Sequence, residues 1–165
     1  MTRVSTRDRE FEEFVRAAWP RLRRAAYLLS HDTHEAEDLV QTALTRSYAR
    51  WGVVRREGAY SYVHRALVNA YVDSTRRRRP VPVERVAERV GTTDHTVEDR
   101  SELLDLLAPL TPRERSILVW RYYLDAPEKD VAERLGVAPG TVRSTASRAL
   151  ARARADRTDQ ERDPR

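Results

Sequence analysis

The sequence predicts an all-α protein built as two small helical domains joined by a flexible linker, on three observations. Apolar residues recur at helical spacing along most of the chain, without the period-two alternation of a half-buried strand. Pro80 and Pro82 open a polar stretch, centred on Gly91, Thr92 and Thr93, that interrupts this pattern. Prolines then stand at the starts of three later helical segments, where a missing N–H costs nothing. A chain of 165 residues has room for one ordinary domain or two small ones. Its charged fraction of 35% is high, yet the periodic Leu, Val and Ala argue for a folded chain.

The elements follow in order. Phe11, Phe14, Val15, Ala18, Leu22, Ala25, Ala26 and Leu29 form the apolar stripe of a first helix, which Pro20 is expected to kink or split. A second helix begins near Asp32 or Thr33, either of which can cap it, and runs to about Trp51. Ala36, Leu39, Val40, Ala43, Leu44 and Trp51 share its buried side. Gly52 and Gly58 bracket a short loop. A third helix, from about Ala59 to Arg78, turns Val63, Ala66, Leu67 and Ala70 inward. Beyond the linker, helices are expected near Ser101–Ala108, at Pro112–Leu124, at Pro127–Leu135 and at Pro139–Ala155, with a frayed charged tail from Asp156.

The strongest local pattern lies in the second block, from Asp130 to Ser144. A short helix carries Val131, Ala132 and Leu135 inward, Gly136 supplies a left-handed turn, and Val137 plugs the corner. The next helix buries Val142, Ala146, Ala149, Leu150 and Ala153. Thr141, Ser144, Ser147, Arg148 and Arg152 occupy its outer side, with Arg143 on the shoulder. Hydroxyls and arginines on a second helix suit the major groove of duplex DNA. A plain helical hairpin with a solvated basic face is the competing reading.

The first block carries two contrasting surfaces. Tyr62, Arg65, Asn69 and Arg76 share one stripe of the third helix, and Arg76 to Arg79 form a basic terminus. Such a stripe suits unstacked bases with phosphates beside them, or equally an ordinary solvated face. From His31 to Thr45 there is no lysine or arginine, while Asp32, Glu35, Glu37 and Asp38 are acidic. Asp38, Gln41, Thr42 and Thr45 on that helix should avoid DNA and suit a protein partner, although an acidic helix start also suits the macrodipole.

Composition narrows the classes. A net charge of +5 points toward a polyanion, most often nucleic acid. Lys129 is the one lysine; the remaining cations are arginines, which make bidentate contacts. With no cysteine, disulfides, thiolate metal sites and cysteine nucleophiles are excluded. No apolar run nears the roughly 18 residues that span a bilayer, and the polar Met1–Glu10 leads straight into a helical pattern, so a cytoplasmic protein without signal peptide is expected. A free-standing helix-turn-helix regulator, which would usually dimerise, shares the second block. A metal-dependent nuclease using Asp32, Glu35, Glu37 and Asp38 would need those carboxylates to converge.

Ala36-Glu-Asp-Leu-Val-Gln-Thr-Ala-Leu44 resembles region two of the sigma-70 family in its short extracytoplasmic-function form. Tyr62-Val-His-Arg-Ala-Leu-Val-Asn69 is similar to the promoter-melting helix of that region. Leu110-Thr-Pro-Arg-Glu-Arg115, Arg121-Tyr-Tyr123 and Val137-Ala-Pro-Gly-Thr-Val-Arg-Ser144 are similar to region four. The ordered combination covers about Phe11 to Arg154 and resembles the sigma-E-like subfamily.

The resemblance implies region two over 8–79, a linker over 80–100 and region four over 101–155. It implies a transcription initiation subunit rather than an enzyme, with no cofactor or metal, monomeric when free. Glu37, Asp38, Gln41, Thr42 and Thr45 would dock on the β′ clamp helices of core RNA polymerase. Tyr62, Arg65, Asn69, Arg76 and Arg77, with the loop from about Gly52, would read the minus-ten element and hold its melted strand. Thr141, Arg143, Ser144, Ser147, Arg148 and Arg152 would read the minus-thirty-five element of promoter DNA while the block rests on the β flap. An anti-sigma factor is a further partner the family admits. Thr145 and Ser147 stand where many relatives carry larger or basic residues, and Ala126-Pro-Glu128 replaces a Leu-Ser-capped helix start.

Overall fold

The computed structural model describes residues 5–78 and 97–162, with side chains described for 5–78 and 102–158. Helices joined by short turns make up the described residues, without strands, and the chain divides into two compact units after Pro80.

In the first unit α1 (Thr6–Ser30), α2 (Thr33–Ala49) and α3 (Ala59–Arg77) each pack against the other two. Ser5 and Asp8 form a capping box at the start of α1. Asp32 caps α2, its carboxylate accepting from the Glu35 N–H at 2.7 Å. His31, with φ 57°, makes the left-handed corner between them. Leu22, Leu29, Val40, Val63, Leu67 and Val68 are fully buried where the three helices meet. Pro20 does not split α1: it lies inside one helix on an exposed side, while Ala18 and Leu22 on either side of it are buried. Burial of that apolar stripe outweighs the lost backbone bond. The helix α2 stops at Ala49, and Trp51 falls in a 3₁₀ turn (Trp51–Val53), followed by a second (Arg56–Gly58) leading into α3.

The second unit holds α4 (Val97–Leu107), α5 (Pro112–Leu118), α6 (Glu128–Leu135) and α7 (Pro139–Arg162). The helix α7 packs on the other three. Thr111 and Glu114 form a capping box on α5, with Pro112 in its first turn. The helix then widens into a π-helical turn (Val119–Tyr123), closed by Leu124 N–H donating to Val119 O at 3.0 Å. Three boundaries differ from expectation. The first helix of this unit starts at Val97 rather than Ser101, within the span expected as linker. The helix at Pro112 is interrupted by the π turn. And α7 runs on to Arg162 instead of fraying after Ala155. The extension follows directly on the Ala- and Arg-rich stretch 148–155, good helix formers, and Arg157 within it meets Glu102 of α4 at 3.6 Å. Arg79 and the linker stretch with Pro80, Pro82, Gly91, Thr92 and Thr93 lie outside the described residues.

Candidate nucleic-acid and partner interfaces

The amphipathic period of α3 decides which of its side chains reach solvent. Ala59, Val63, Leu67, Ala70 and Tyr71 are buried. Tyr62 and Asn69 are half-buried and Arg65, Arg76 and Arg77 are exposed; Tyr62, Arg65, Asn69 and Arg76 lie on the side of α3 opposite that core, and Arg77 stands about 100° round the helix from Arg76. The structure thus brings a phenol, an amide and two guanidinium groups onto one surface, with Arg77 beside it at the end of the helix. Arg78 does not belong to it. It donates to Glu35 of α2 at 2.6 Å, and Ser74 donates to the same carboxylate at 3.2 Å. Of the basic run from Arg76 to Arg79, Arg76 and Arg77 are exposed, Arg78 is drawn to Glu35, and Arg79 lies outside the described residues.

Along α2, Asp38, Gln41 and Thr45 are exposed and Glu37 and Thr42 half-exposed. The face stays free of cations until Arg46, which pairs with Asp73 of α3 at 3.3 Å. The four acids at the start of α2 do not converge. Asp32 is a helix cap and the buried Glu35 turns to α3, whereas Asp38 faces solvent. Among the described residues no group of three His, Asp or Glu side chains is placed to hold a metal ion.

An aromatic corner, which the sequence reading did not single out, supports the loop before α3. Phe11 and Phe14 of α1 each lie 4.9 Å from Trp51, and Phe14 lies 5.0 Å from Tyr60. Edge and tilted contacts of this kind add stability beyond area burial. With Trp51 pinned beneath it, the loop presents Val53 at 83% exposure, beside exposed Arg55 and Arg56. At the other side Phe11 meets Tyr48, whose hydroxyl donates to Asp8 and whose ring lies beneath Arg7. The Tyr48 hydroxyl, then Ser5, hold the Asp8 carboxyl below the ordinary range, and the same bond raises Tyr48.

In the second unit α6 and α7 meet at a tight corner. Gly136 has φ 65°, and Val137 N–H donates back to Ala132 O at 3.0 Å, ending α6 as the sequence anticipates. Pro127 stands at the N-cap of α6 and supplies no side-chain cap; the acidic Glu128 and Asp130 of the first turn complement the helix dipole instead. Upstream, Arg121 donates to Ala126 O at 2.6 Å and fixes the entry to α6. Arg115 donates to the carbonyls of Leu107 and Leu110, closing the end of α4. On α7, Val142, Ala146, Ala149 and Ala153 are buried, and Thr141, Arg143, Ser144, Ser147, Arg148 and Arg152 are exposed. Arg148 folds back to Ser144 O at 3.2 Å.

Two of these arginines have acidic partners from other helices, which helical periodicity alone does not reveal. Arg143 meets Glu128, and Arg152 meets Glu114 of the α5 capping box. Burial would raise the Glu114 carboxyl, but donation by Arg152 and by the Thr111 N–H and hydroxyl outweighs it and leaves the group below its ordinary value.

Comparison with known proteins converges on one family. The family described as sigma-70 region 2 matches residues 14–81, and that described as sigma-70, region 4, matches residues 100–152. The RNA polymerase sigma-E factor of Streptomyces avermitilis is 38% identical over 94% of this chain and 89% of its own length. Its Streptomyces coelicolor counterpart is equally similar, with 90% of its length covered. The ECF RNA polymerase sigma factor SigM of Mycobacterium tuberculosis is 32% identical over 86% of this chain and 74% of its own. In fold, the chain resembles the sigma factor RpoE of Bartonella quintana, solved in complex with the anti-sigma factor NepR. The TM-score is 0.67 at 24% identity, covering 88% of this chain and 95% of that one. Two helical units in this order, matched to regions two and four by relatives spanning nearly the whole chain, establish that the protein belongs to the sigma-70 family as an extracytoplasmic-function RNA polymerase sigma factor that directs transcription initiation.

Proposed function

We propose that the two units divide promoter recognition between separated strands and intact duplex. The α2 face with Glu37, Asp38, Gln41, Thr42 and Thr45 docks on the β′ clamp helices of core RNA polymerase. The α3 stripe of Tyr62, Arg65, Asn69 and Arg76, with Arg77 at its end and the loop from Gly52, reads the minus-ten element and holds its melted strand. On α7, Thr141, Arg143, Ser144, Ser147 and Arg148 read the minus-thirty-five element, Arg152 being shared with Glu114, while the unit rests on the β flap. The chain contributes no bond-making chemistry of its own and works in the cytoplasm. An anti-sigma factor, of the kind present with the Bartonella protein, completes the set of partners.

The observation that carries this reading is the contrast of surfaces within the first unit. The α2 face is acidic and free of cations from His31 to Thr45, and the α3 face presents guanidinium groups with an amide and a phenol. The first repels DNA and suits a protein; the second suits bases taken out of the stack. Energetics then require the polymerase. Unstacking a promoter costs about 1.4 kcal/mol per base-pair step, and stacking on a side chain returns roughly 1–3 kcal/mol per base. One ring and one amide cannot hold several open pairs unaided, so the free chain binds promoter DNA weakly. Among the described residues no helix is long and apolar enough to cross a membrane.

Run-off transcription with core polymerase tests the division. Asn69→Ala should impair opening more than closed-complex binding, while Arg148→Ala should weaken upstream recognition. A chain that neither co-purifies with core polymerase nor redirects its start sites would overturn the proposal.

A further inference from the structure

The contact between Arg143 and Glu128 has a geometry that bears on sequence selectivity. Arg143 lies in the second turn of α7, and Glu128 in the first turn of α6. The guanidinium meets the carboxylate side-on: Nε donates to Oε2 at 3.3 Å and Nη2 donates to Oε1 at 3.0 Å. A guanidinium gripped along that edge keeps its other edge, one N–H from each terminal nitrogen, pointing away from the carboxylate. That remaining edge is the pair of parallel donors that matches the O6 and N7 acceptors of guanine in the major groove. The two partners differ in exposure. The Glu128 side chain is 20% exposed and the Arg143 side chain 77%. The acid is the fixed member, held against the unit, and the arginine is the member that reaches outward.

Resting on the assignment of α7 to duplex recognition, we infer that Glu128 is a positioning residue that presets Arg143 to read one guanine of the upstream promoter element. A long arginine normally loses rotamer freedom when it binds. Here much of that ordering is already present before DNA arrives, which favours a bound pose of fixed direction. The acid also sharpens selectivity by exclusion. A carboxylate behind the guanidinium repels phosphate oxygens and disfavours swinging Arg143 onto the backbone, where it would bind every sequence alike. Staple and reader are thus one pair.

The test uses the intact chain with core polymerase on a promoter library randomised through the upstream element, scored by the initiating templates. Arg143→Ala should erase preference at one base pair, on the order of tenfold or more at that position, and leave the other positions as they were. Glu128→Gln should relax preference at the same position and no other, and the double variant should add nothing beyond Arg143→Ala. Glu128→Asp, too short to keep both contacts, should behave as Glu128→Gln does and serves in its place should that variant fold poorly. A staple without a reading role would lower thermal stability and leave the base preferences intact, which would overturn the inference. So would a uniform loss across all templates in Arg143→Ala, the mark of a phosphate contact. If Arg148→Ala also leaves every upstream preference unchanged, the assignment of α7 itself fails. If Arg148→Ala shifts preferences while the Arg143 and Glu128 variants do not, only the inference fails.

Discussion

Arg78 and Glu35 close α3 onto α2 through a pair that is wet on one side and dry on the other. The carboxylate side chain is 8% exposed and the guanidinium 48%, at a separation of 2.6 Å. Removing either partner therefore has unequal consequences. Glu35→Ala leaves Arg78 free to turn into water, at a cost of about 1 kcal/mol. Arg78→Ala leaves the largely buried carboxylate with the neutral Ser74 hydroxyl in place of a cation, and should cost about 2–3 kcal/mol. Urea unfolding of the two variants should show that order; equal losses would mean that Glu35 is better hydrated than its burial implies.

Pro20 offers a stabilising substitution. It sits on an exposed side within the unbroken α1. Alanine there restores a backbone donor and relieves the ring, a gain of about 3 kcal/mol in a helix interior, offset by up to about 1 kcal/mol from greater freedom of the unfolded chain. Pro20→Ala should raise the thermal midpoint of the first unit by differential scanning calorimetry, and no rise would show that α1 is relaxed around the proline.

Gly136 is required by its backbone rather than by its surroundings. Its φ is 65°, and a Cβ placed there would meet nothing within 4 Å. Gly136→Ala should therefore cost about 1 kcal/mol, all of it conformational. Faster amide exchange in α6 and α7, without any change in the first unit, is the expected readout.

Glu114 ties the second unit to acid. Its carboxyl is held below the ordinary 4.5 by Arg152 and Thr111 against the opposing effect of burial. A depressed folded value means that the unfolded chain takes up the proton first as pH falls. The contribution is complete above the ordinary value and disappears as pH drops through the folded one. Glu114→Gln should remove this part of the acid dependence, so the difference in thermal midpoint between wild type and variant should shrink from neutral pH toward about pH 3. A constant difference would argue that the pair with Arg152 does not form in solution.

Local signals were the readable ones. The stripe from Ala18 to Leu29, the Asp32 cap and the Gly136 turn each depend on neighbours within a few residues, and each stands where the periodicity and cap chemistry put it. The pairs that shape the interfaces were not readable. Glu35 and Arg78 are 43 residues apart, and Glu114 and Arg152 are 38 apart. In a chain whose cations are nearly all arginine, nothing local says which arginine an acid will choose. The same holds for the extension of α7 to Arg162, which leans on Glu102 of α4. The roles assigned to the α2, α3 and α7 surfaces rest on residue chemistry and family likeness, and transcription assays decide them.

The widened turn at Val119–Tyr123 has a geometric consequence for everything after it. Five consecutive residues, Ser116 through Trp120, are buried there, more than one side of a regular helix can hold. A π turn accommodates them by spending one surplus residue, which rotates the outgoing chain relative to an unbroken helix. Deleting a single residue from this turn would restore ordinary winding while swinging the Arg121 guanidinium away from the Ala126 carbonyl it now holds. The aim of the downstream helix pair is thus set by the length of one turn, like a gunsight shimmed by a single washer.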